Sequence, residues 1–153
     1  MPATHDAGET AQASAIIAAV DANVDRLVSL TRSLVNCRSD SQSLHNPEFE
    51  GEANRCQDLV AGWLGDLGFT VERWQQPPRY PVVSARLGGT GGGRSLAFNG
   101  HVDVVPGGDR ATWSHDPWAG EVADGKLWGR GAADMKGGVA CAMMAAWALR
   151  EVN

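Results

Sequence analysis

The spacing of the apolar residues changes once along this chain of 153 residues, and that change constrains the fold more than any other feature. From Ala13 to Asn36, apolar residues recur every three or four positions, as on the buried face of an amphipathic helix. A second helical pattern runs from about Glu48 to Leu67. Gly68 follows it, where a left-handed residue commonly ends a helix. The first part of the chain is therefore predicted to be helical as far as Gly68.

The part that follows contains short β-rich runs separated by residues that favour turns. The runs are Phe69–Trp74, Val82–Leu87, Ser95–Asn99, Glu121–Ala123 and Lys126–Trp128. Asp124 and Gly125, between the last two, form a dipeptide that strongly favours a tight hairpin. A third helix, rich in Ala and Met, is predicted from Gly137 to about Glu151, with its small side chains packed onto a sheet. Helices interleaved with strands predict an α/β fold, a mixed sheet flanked by helices.

The composition is that of a globular protein, because 43% of the residues are hydrophobic and 20% are charged. Lys and Arg number 13 against 18 Asp and Glu, so the net charge is −5 at pH 7. An acidic chain without a basic stripe is a poor candidate for binding nucleic acid or an anionic membrane. Residues 1–11 are polar and are predicted to be a disordered tail, which leaves residues 12–153 as one domain.

The cysteines and the N-terminus predict a cytoplasmic protein without a membrane partner. Cys37, Cys56 and Cys141 form no CxxC pair, so each is predicted to be a small buried residue rather than part of a disulfide framework. A signal peptide begins with a positively charged region, and the first residues of this chain contain no Lys or Arg. No apolar run approaches the roughly 18 residues of a membrane span.

The first group of residues suited to chemistry is Asn99–Pro106, which contains His101 and Asp103. Open α/β sheets place their ligand sites at the carboxyl ends of strands, where this group is expected to lie. Two residues that are two positions apart on a strand point to the same face. A neutral imidazole is a common zinc ligand, and a nearby carboxylate can accept the hydrogen of its other nitrogen. A strand-end histidine paired with a structural aspartate is the alternative, because His-x-Asp is a short motif.

The second group is Gly129–Gly138, in which Asp134 stands in a glycine-flanked loop before the third helix. Glycine permits the unusual backbone angles that a loop needs to aim one carboxylate at a fixed point. Taken alone, Asp134 is typical of an ordinary helix N-cap. Because one domain carries both this loop and the His-x-Asp group, a shared metal site explains the two together better.

Two segments resemble the N-terminal part of the zinc-dependent amidohydrolases and exopeptidases: SLAFNGHVDVVPGG (residues 95–108) and WSHDPWAGEVADGKLWGRGAADMKGG (residues 113–138). This family includes acetylornithine deacetylase, succinyl-diaminopimelate desuccinylase and carboxypeptidase G. The resemblance covers Ala13–Asn153 and implies the N-terminal half of a zinc-peptidase-like catalytic domain. It also implies metal-dependent hydrolysis of an amide bond in an N-acyl amino acid or a small peptide.

The resemblance implies a role for three residues. His101 would ligate one Zn²⁺, and Asp134 would bridge two Zn²⁺ with its two oxygens, with Co²⁺ or Mn²⁺ as alternative metals. Asp103 would be a catalytic residue that orients His101. The peptide bond after Asp134 is often cis in this family.

The same resemblance implies that the rest of the family's site lies outside this chain. The general base and a further ligand come from a Glu-Glu pair beyond the third helix, which the single Glu151 does not match. Another carboxylate, a C-terminal histidine and a lid domain that mediates homodimer formation are also expected there. The chain is therefore expected to be a truncated piece, inactive by itself. The alternative is an inactive fragment or interaction remnant with weak or no metal binding.

Three further side chains near the second motif allow other interpretations. Trp113 and Trp118 lie in the loop after His101, where they could contact substrate or pack against the loop's own hairpin. His115 lies between them, outside both Asn99–Pro106 and Gly129–Gly138, and is predicted to be a solvated loop residue.

Overall fold

The computed structural model describes residues 7–40, 51–76, 80–89, 91–92 and 94–152, in which three helices are followed by two β-hairpins and a fourth helix. The helices are α1 (Ala7–Asp21), α2 (Val24–Val35), α3 (Glu52–Asp66) and α4 (Gly137–Val152). The strands are β1 (Thr70–Gln76), β2 (Tyr80–Arg86), β3 (Glu121–Ala123) and β4 (Lys126–Trp128). The predicted α/β class is confirmed. None of the described helices is long and apolar enough to cross a membrane.

The helix predicted from Ala13 to Asn36 is interrupted, so the prediction of one continuous helix was wrong. The break falls at Asn23, whose backbone leaves helical angles at φ −126° and ψ 29°. The Asn23 side-chain amide donates to the carbonyl of Ala19 at 2.9 Å, and side chains that bond the nearby backbone compete with helix formation. α1 begins at Ala7, inside the segment predicted to be a disordered tail, whereas residues 1–6 lie outside the described residues.

The end of α3 confirms the predicted left-handed cap. Gly68 has a φ of +83°. Its N–H donates to the carbonyl of Gly65 at 2.8 Å, and the N–H of Phe69 donates to the carbonyl of Leu64 at 3.1 Å. These paired hydrogen bonds form a Schellman motif, which satisfies carbonyls that the helix leaves free. The predicted beginning of this helix lies in residues 41–50, outside the described residues.

The hairpin predicted at Asp124–Gly125 is present, and the first two β-rich runs pair as a second hairpin. β1 and β2 pair antiparallel, with Thr70 opposite Arg86, and β3 pairs antiparallel with β4. Between β3 and β4, Asp124 and Gly125 have φ values of 52° and 70°. Two consecutive residues with positive φ define the tight turn that matches the right-handed twist of a hairpin. The predicted turn between β1 and β2 lies in residues 77–79, outside the described residues.

The run Ser95–Asn99 does not form the predicted strand. Leu96 and Phe98 are exposed, and no described segment pairs with this run. A strand exists only through hydrogen bonds to a neighbouring strand, which an apolar sequence cannot supply by itself. The described strands therefore form two separate antiparallel hairpins instead of the expected mixed sheet. An isolated parallel bridge joins Asp40 to Val104.

The core lies between α4 and the helices that precede it. α4 packs against α1 and α2, and its residues Ala140 and Ala148 are fully buried. α4 therefore packs mainly against other helices, whereas the sequence predicts that it packs onto a sheet. Cys37 and Cys56 are buried, as predicted, but Cys141 on α4 is exposed, so the prediction for that residue was wrong.

The loop before α4 is packed so tightly that Gly131 has no room for a side chain. Gly131 has a φ of +85°, and a Cβ there would lie 2.6 Å from Cγ1 of Val104 and 3.0 Å from Cδ of Lys136. Val104 directly follows Asp103 in the first motif. This close approach therefore brings the loop of the second motif against the segment of the first.

Gly131→Ala is expected to lower the free energy of unfolding by about 2–5 kcal/mol, because left-handed strain and overpacking add together. Gly68→Ala is the matched control, since φ is +83° there but nothing lies within 4 Å of the added Cβ. It is expected to cost only about 1–2 kcal/mol. Urea unfolding of the 153-residue chain measures both. Equal losses would contradict a steric cost at Val104.

Candidate metal site

The first motif lies on an extended segment whose side chains alternate between the core and the solvent. Val102 and Val104 are buried, whereas His101 and Asp103 are exposed. Ser39 holds the segment in place: its hydroxyl donates to the carbonyl of Val102 at 2.5 Å, and its carbonyl accepts the N–H of Val104 at 3.1 Å. Burial of the two valines therefore presents His101 and Asp103 together on the outer face, as the spacing predicts.

The imidazole of His101 directs one nitrogen at Asp103. Nδ1 lies 3.0 Å from the backbone carbonyl oxygen of Asp103 and 3.3 Å from its carboxylate Oδ1. The carbonyl is thus the closer acceptor, whereas the sequence predicts the carboxylate. With the hydrogen on Nδ1, the lone pair of Nε2 is available to a metal ion. The side chain is 48% exposed, so the Nε2 atom is not enclosed in the core.

Asp134 is brought opposite His101 by an irregular turn at Ala132–Lys136. The backbone of Asp134 is not helical, with φ −127° and ψ 103°, and the Asp134–Met135 peptide bond is cis, as the family resemblance implies. Its Oδ1 lies 3.5 Å from Nε2 of His101, and 90% of the side chain is exposed. Within the described residues its carboxylate accepts no backbone hydrogen bond, so Asp134 is not an ordinary N-cap of α4.

The chemistry and the spacing of this pair fit a single divalent ion. Imidazole nitrogen and carboxylate oxygen are ordinary zinc ligands, and two of them at a tetrahedral angle, each about 2.0–2.2 Å from the ion, are about 3.3–3.6 Å apart. Nε2 of His101 and Oδ1 of Asp134 are 3.5 Å apart. Across the described ranges no group of three or more His, Cys, Asp and Glu side chains could hold a metal ion, so the pair is a partial site.

Lys136 is a candidate functional residue to which the sequence analysis gives no role. Its side chain is fully buried, and Nζ donates to the carbonyl of Cys37 at 2.7 Å. Burial lowers the pKa of the Lys136 ammonium, because surroundings of low polarity disfavour the charged form. Its place two residues after Asp134 is the available sequence signal, and this does not distinguish a buried lysine from a solvated one.

The groups that act electrostatically on Lys136 lie in the segment that follows α2 and in α3. They are the thiols of Cys56 and Cys37 and the carboxylates of Asp40 and Glu52. The contact between the two thiols lowers the pKa of Cys37 to about 7, and the same contact together with burial raises the pKa of Cys56. Asp134 is not among these groups.

The aromatic loop after the first motif packs on itself. The indole N–H of Trp113 donates to the carbonyl of Gly107 at 2.7 Å, and the guanidinium of Arg130 lies 5.0 Å from the centre of its ring. The ring of Trp118 lies against Gly107, where an added Cβ would be 3.4 Å from Cζ2, and the guanidinium of Arg38 lies 5.6 Å from the ring centre. These contacts favour packing over substrate binding for both tryptophans.

His115 is held by the hairpin that follows it. Its Nδ1 lies 3.0 Å from Oε2 of Glu121, and its ring is stacked on Trp128 with the ring centres 4.5 Å apart. His115 therefore lies in a loop, as predicted, but its side chain is 22% exposed and less solvated than predicted. No contact in the described part of the chain joins His115 to His101 or Asp134.

Comparison with known proteins agrees with the two motifs. Residues 97–153 match the family model described as peptidase family M20/M25/M40. The chain is 44% identical over 119 residues to a succinyl-diaminopimelate desuccinylase of Cereibacter sphaeroides, a match that covers 78% of this chain and 29% of the relative. It is 35% identical over 136 residues to the N-formyl-4-amino-5-aminomethyl-2-methylpyrimidine deformylase of Bacillus subtilis, covering 88% of this chain and 30% of the relative.

The fold has a solved counterpart. The crystal structure of human carnosine dipeptidase 1 matches with a TM-score of 0.80 and 33% sequence identity, over 90% of this chain and 31% of that one. The chain therefore spans about 30% of the length of the proteins it matches. The matched residues contain His101, Asp103 and Asp134. Over residues 97–153, the chain is therefore similar to peptidase family M20/M25/M40.

Proposed function

We propose that residues 12–153 form part of the catalytic domain of a metal-dependent hydrolase, which cleaves an amide bond in an N-acyl amino acid or a small peptide. One observation carries the proposal: two motifs far apart in the sequence place Nε2 of His101 and Oδ1 of Asp134 3.5 Å from each other, with both side chains exposed. A nitrogen lone pair and a carboxylate oxygen at that distance repel each other unless a cation or a proton lies between them.

The metal that suits the proposal is zinc, with two ions in the complete site and Co²⁺ or Mn²⁺ as possible replacements. His101 would hold one ion through Nε2, and Asp134 would hold both through its two carboxylate oxygens. The chemistry that zinc supplies when bound is polarisation of an amide carbonyl and acidification of water. The 90% exposure of the Asp134 side chain leaves its two oxygens accessible for this role.

The contribution of this chain's own residues is to fix the protonation and the orientation of the His101 imidazole. The carbonyl and the carboxylate of Asp103 both lie within 3.3 Å of Nδ1 of His101. They keep the hydrogen on Nδ1 and orient the ring, so that the Nε2 lone pair faces Asp134. Asp103 therefore acts on the chemistry through His101.

The substrate class follows from the relatives. Their names describe a desuccinylase, a deformylase and a dipeptidase, which share the cleavage of an amide bond. An open site with exposed donors suits a small soluble substrate. We extend the proposal to a cytoplasmic enzyme that acts as a homodimer through a lid domain, which is the arrangement implied by the family resemblance.

A non-catalytic module is the second candidate. The observation in its favour is that the described residues offer a pair of donors, whereas a closed zinc site uses three or four protein ligands. Such a module would bind metal weakly and hydrolyse nothing in any context. A chimeric enzyme distinguishes the two candidates.

In the chimera, this chain's aligned residues replace the corresponding 119 residues of the Cereibacter sphaeroides desuccinylase. We expect zinc-dependent desuccinylation from the chimera and none from the 153-residue chain alone, because its described residues contain no group of three side chains that could hold a metal ion. Circular dichroism and zinc content establish that the chimera is folded and loaded. A folded, fully loaded chimera without turnover would favour the non-catalytic module.

His101→Ala is expected to abolish measurable zinc binding by the isolated chain and to lower the turnover of the chimera by more than about 100-fold, because a metal ligand matters at least as much as its supporting residues. Isothermal titration with Zn²⁺ and assays at limiting zinc measure these effects. His115→Ala is the control, since His115 pairs with Glu121 instead. Equal zinc affinity in the two variants would show that zinc binds elsewhere.

Asp103→Asn is expected to weaken zinc affinity and turnover by about 10-fold, at the low end of the usual 10–100-fold range for a residue that orients a metal ligand. The reason is that the backbone carbonyl of Asp103, 3.0 Å from Nδ1, still accepts the hydrogen after the substitution. Activity of the chimera at limiting zinc checks this value. Wild-type activity in the variant would assign Asp103 a purely structural role.

A further inference from the structure

We propose that Lys136 is a positioning residue, which sets the separation between His101 and Asp134 by tying the Asp134 loop to the end of α2. This inference rests on the proposed metal site. Lys136 does not reach the donors itself, because its Nζ donates to the carbonyl of Cys37 at 2.7 Å. It acts through the segment 37–40, which is joined to both halves of the site.

The charge of Lys136 needs an explanation, because packing alone does not require it. The side chain is fully buried, and burying an ammonium group is unfavourable unless it is hydrogen-bonded. A methionine has nearly the same length and would fill the space without that cost. What the ammonium adds is a directional bond to the Cys37 carbonyl, which a methyl group cannot make.

On one side, Lys136 closes the loop that carries Asp134. Its backbone N–H donates to the carbonyl of Gly131 at 2.9 Å. Its aliphatic stem lies directly under Gly131, where an added Cβ would be 3.0 Å from Cδ. Asp134 lies between these two residues, so the ends of its loop are clamped together and to the Lys136 side chain.

On the other side, the segment 37–40 holds the strand-like segment of His101. The Ser39 hydroxyl donates to the carbonyl of Val102 at 2.5 Å, and the Ser39 carbonyl accepts the N–H of Val104 at 3.1 Å. These bonds anchor the residues on either side of Asp103. An unbroken path of hydrogen bonds and backbone therefore runs from Asp134 through Lys136, the segment 37–40 and Val102 to His101.

The distance between the two donors of a metal site depends on the hydrogen bonds that hold their backbone segments. Productive donor geometry must be held within about 0.5 Å by residues that support the donors. His101 and Asp134 are exposed and receive little support from packing around their own side chains. Their separation of 3.5 Å therefore depends on the backbone beneath them, where Lys136 ties the Asp134 loop to the segment 37–40 and Ser39 ties that segment to the His101 segment.

A direct electrostatic action on Asp134 is the rival explanation. The groups that interact with the Lys136 charge are the Cys56 and Cys37 thiols and the Asp40 and Glu52 carboxylates. All lie in the segment 37–40 or on α3. Nζ of Lys136 is directed at the Cys37 carbonyl, and within the described residues no ion pair joins it to Asp134, which favours positioning over a direct effect on the charge of Asp134.

The test measures zinc affinity and stability separately in the 153-residue chain. Lys136→Met keeps the stem and removes the donor, and we expect zinc affinity to fall about 10–100-fold, as for other supporting residues of metal sites. Ser39→Ala cuts the same path at its other bond and is expected to cost a smaller factor. Met143→Ala, in the buried core of α4, is the control that lowers stability without touching the path.

The expected result is a loss of zinc affinity in Lys136→Met and Ser39→Ala, with wild-type affinity in Met143→Ala despite its lower urea midpoint. Wild-type zinc affinity in Lys136→Met, or an equal loss in Met143→Ala, would overturn the inference. If Lys136→Met does not fold, Ser39→Ala decides, and unchanged affinity there overturns it as well. Failure of the metal site itself looks different, because wild type and His101→Ala would then bind zinc equally.

Discussion

The contact between Ser39 and the segment 102–104 is the constraint on which the rest of the site depends. It joins residues 63 positions apart, through a hydroxyl and a carbonyl that bond the backbone on both sides of Asp103. Because Val102 and Val104 are buried in the core, the side chains of His101 and Asp103 lie on the outer face of the segment. A slip of one residue in this register would bury the imidazole and expose the valines.

The site combines an exposed donor pair with a buried framework. His101 and Asp134 lie open to solvent, which suits groups that must meet a metal ion and a small substrate. Beneath them, Lys136 and the Cys37 carbonyl are enclosed, and a hydrogen bond shielded from water is stronger and more directional. The exposed donors are thus held by a buried, hydrogen-bonded framework, as functional sites generally require.

The similarity to the family and the partial donor set are consistent with each other. The chain spans about 30% of its relatives, and its described residues supply two donors of the three or four that a zinc site uses. A TM-score of 0.80 over 90% of the chain shows that its backbone follows the fold of the corresponding part of a carnosine dipeptidase. Within that fold, the His101 and Asp134 side chains lie 3.5 Å apart.

Local interactions let the sequence determine the helical regions, the cap at Gly68, the turn at Asp124–Gly125 and the two motifs themselves, because each depends on neighbours a few residues away. Tertiary structure decided what depends on distant partners. Ser95–Asn99 has the composition of a strand but no described neighbour to pair with. Lys136 is buried because the Cys37 carbonyl, 99 positions earlier, accepts its hydrogen bond. No pattern within a short window of sequence contains such a partner, and for that reason the donor separation of 3.5 Å could only be read from the folded chain.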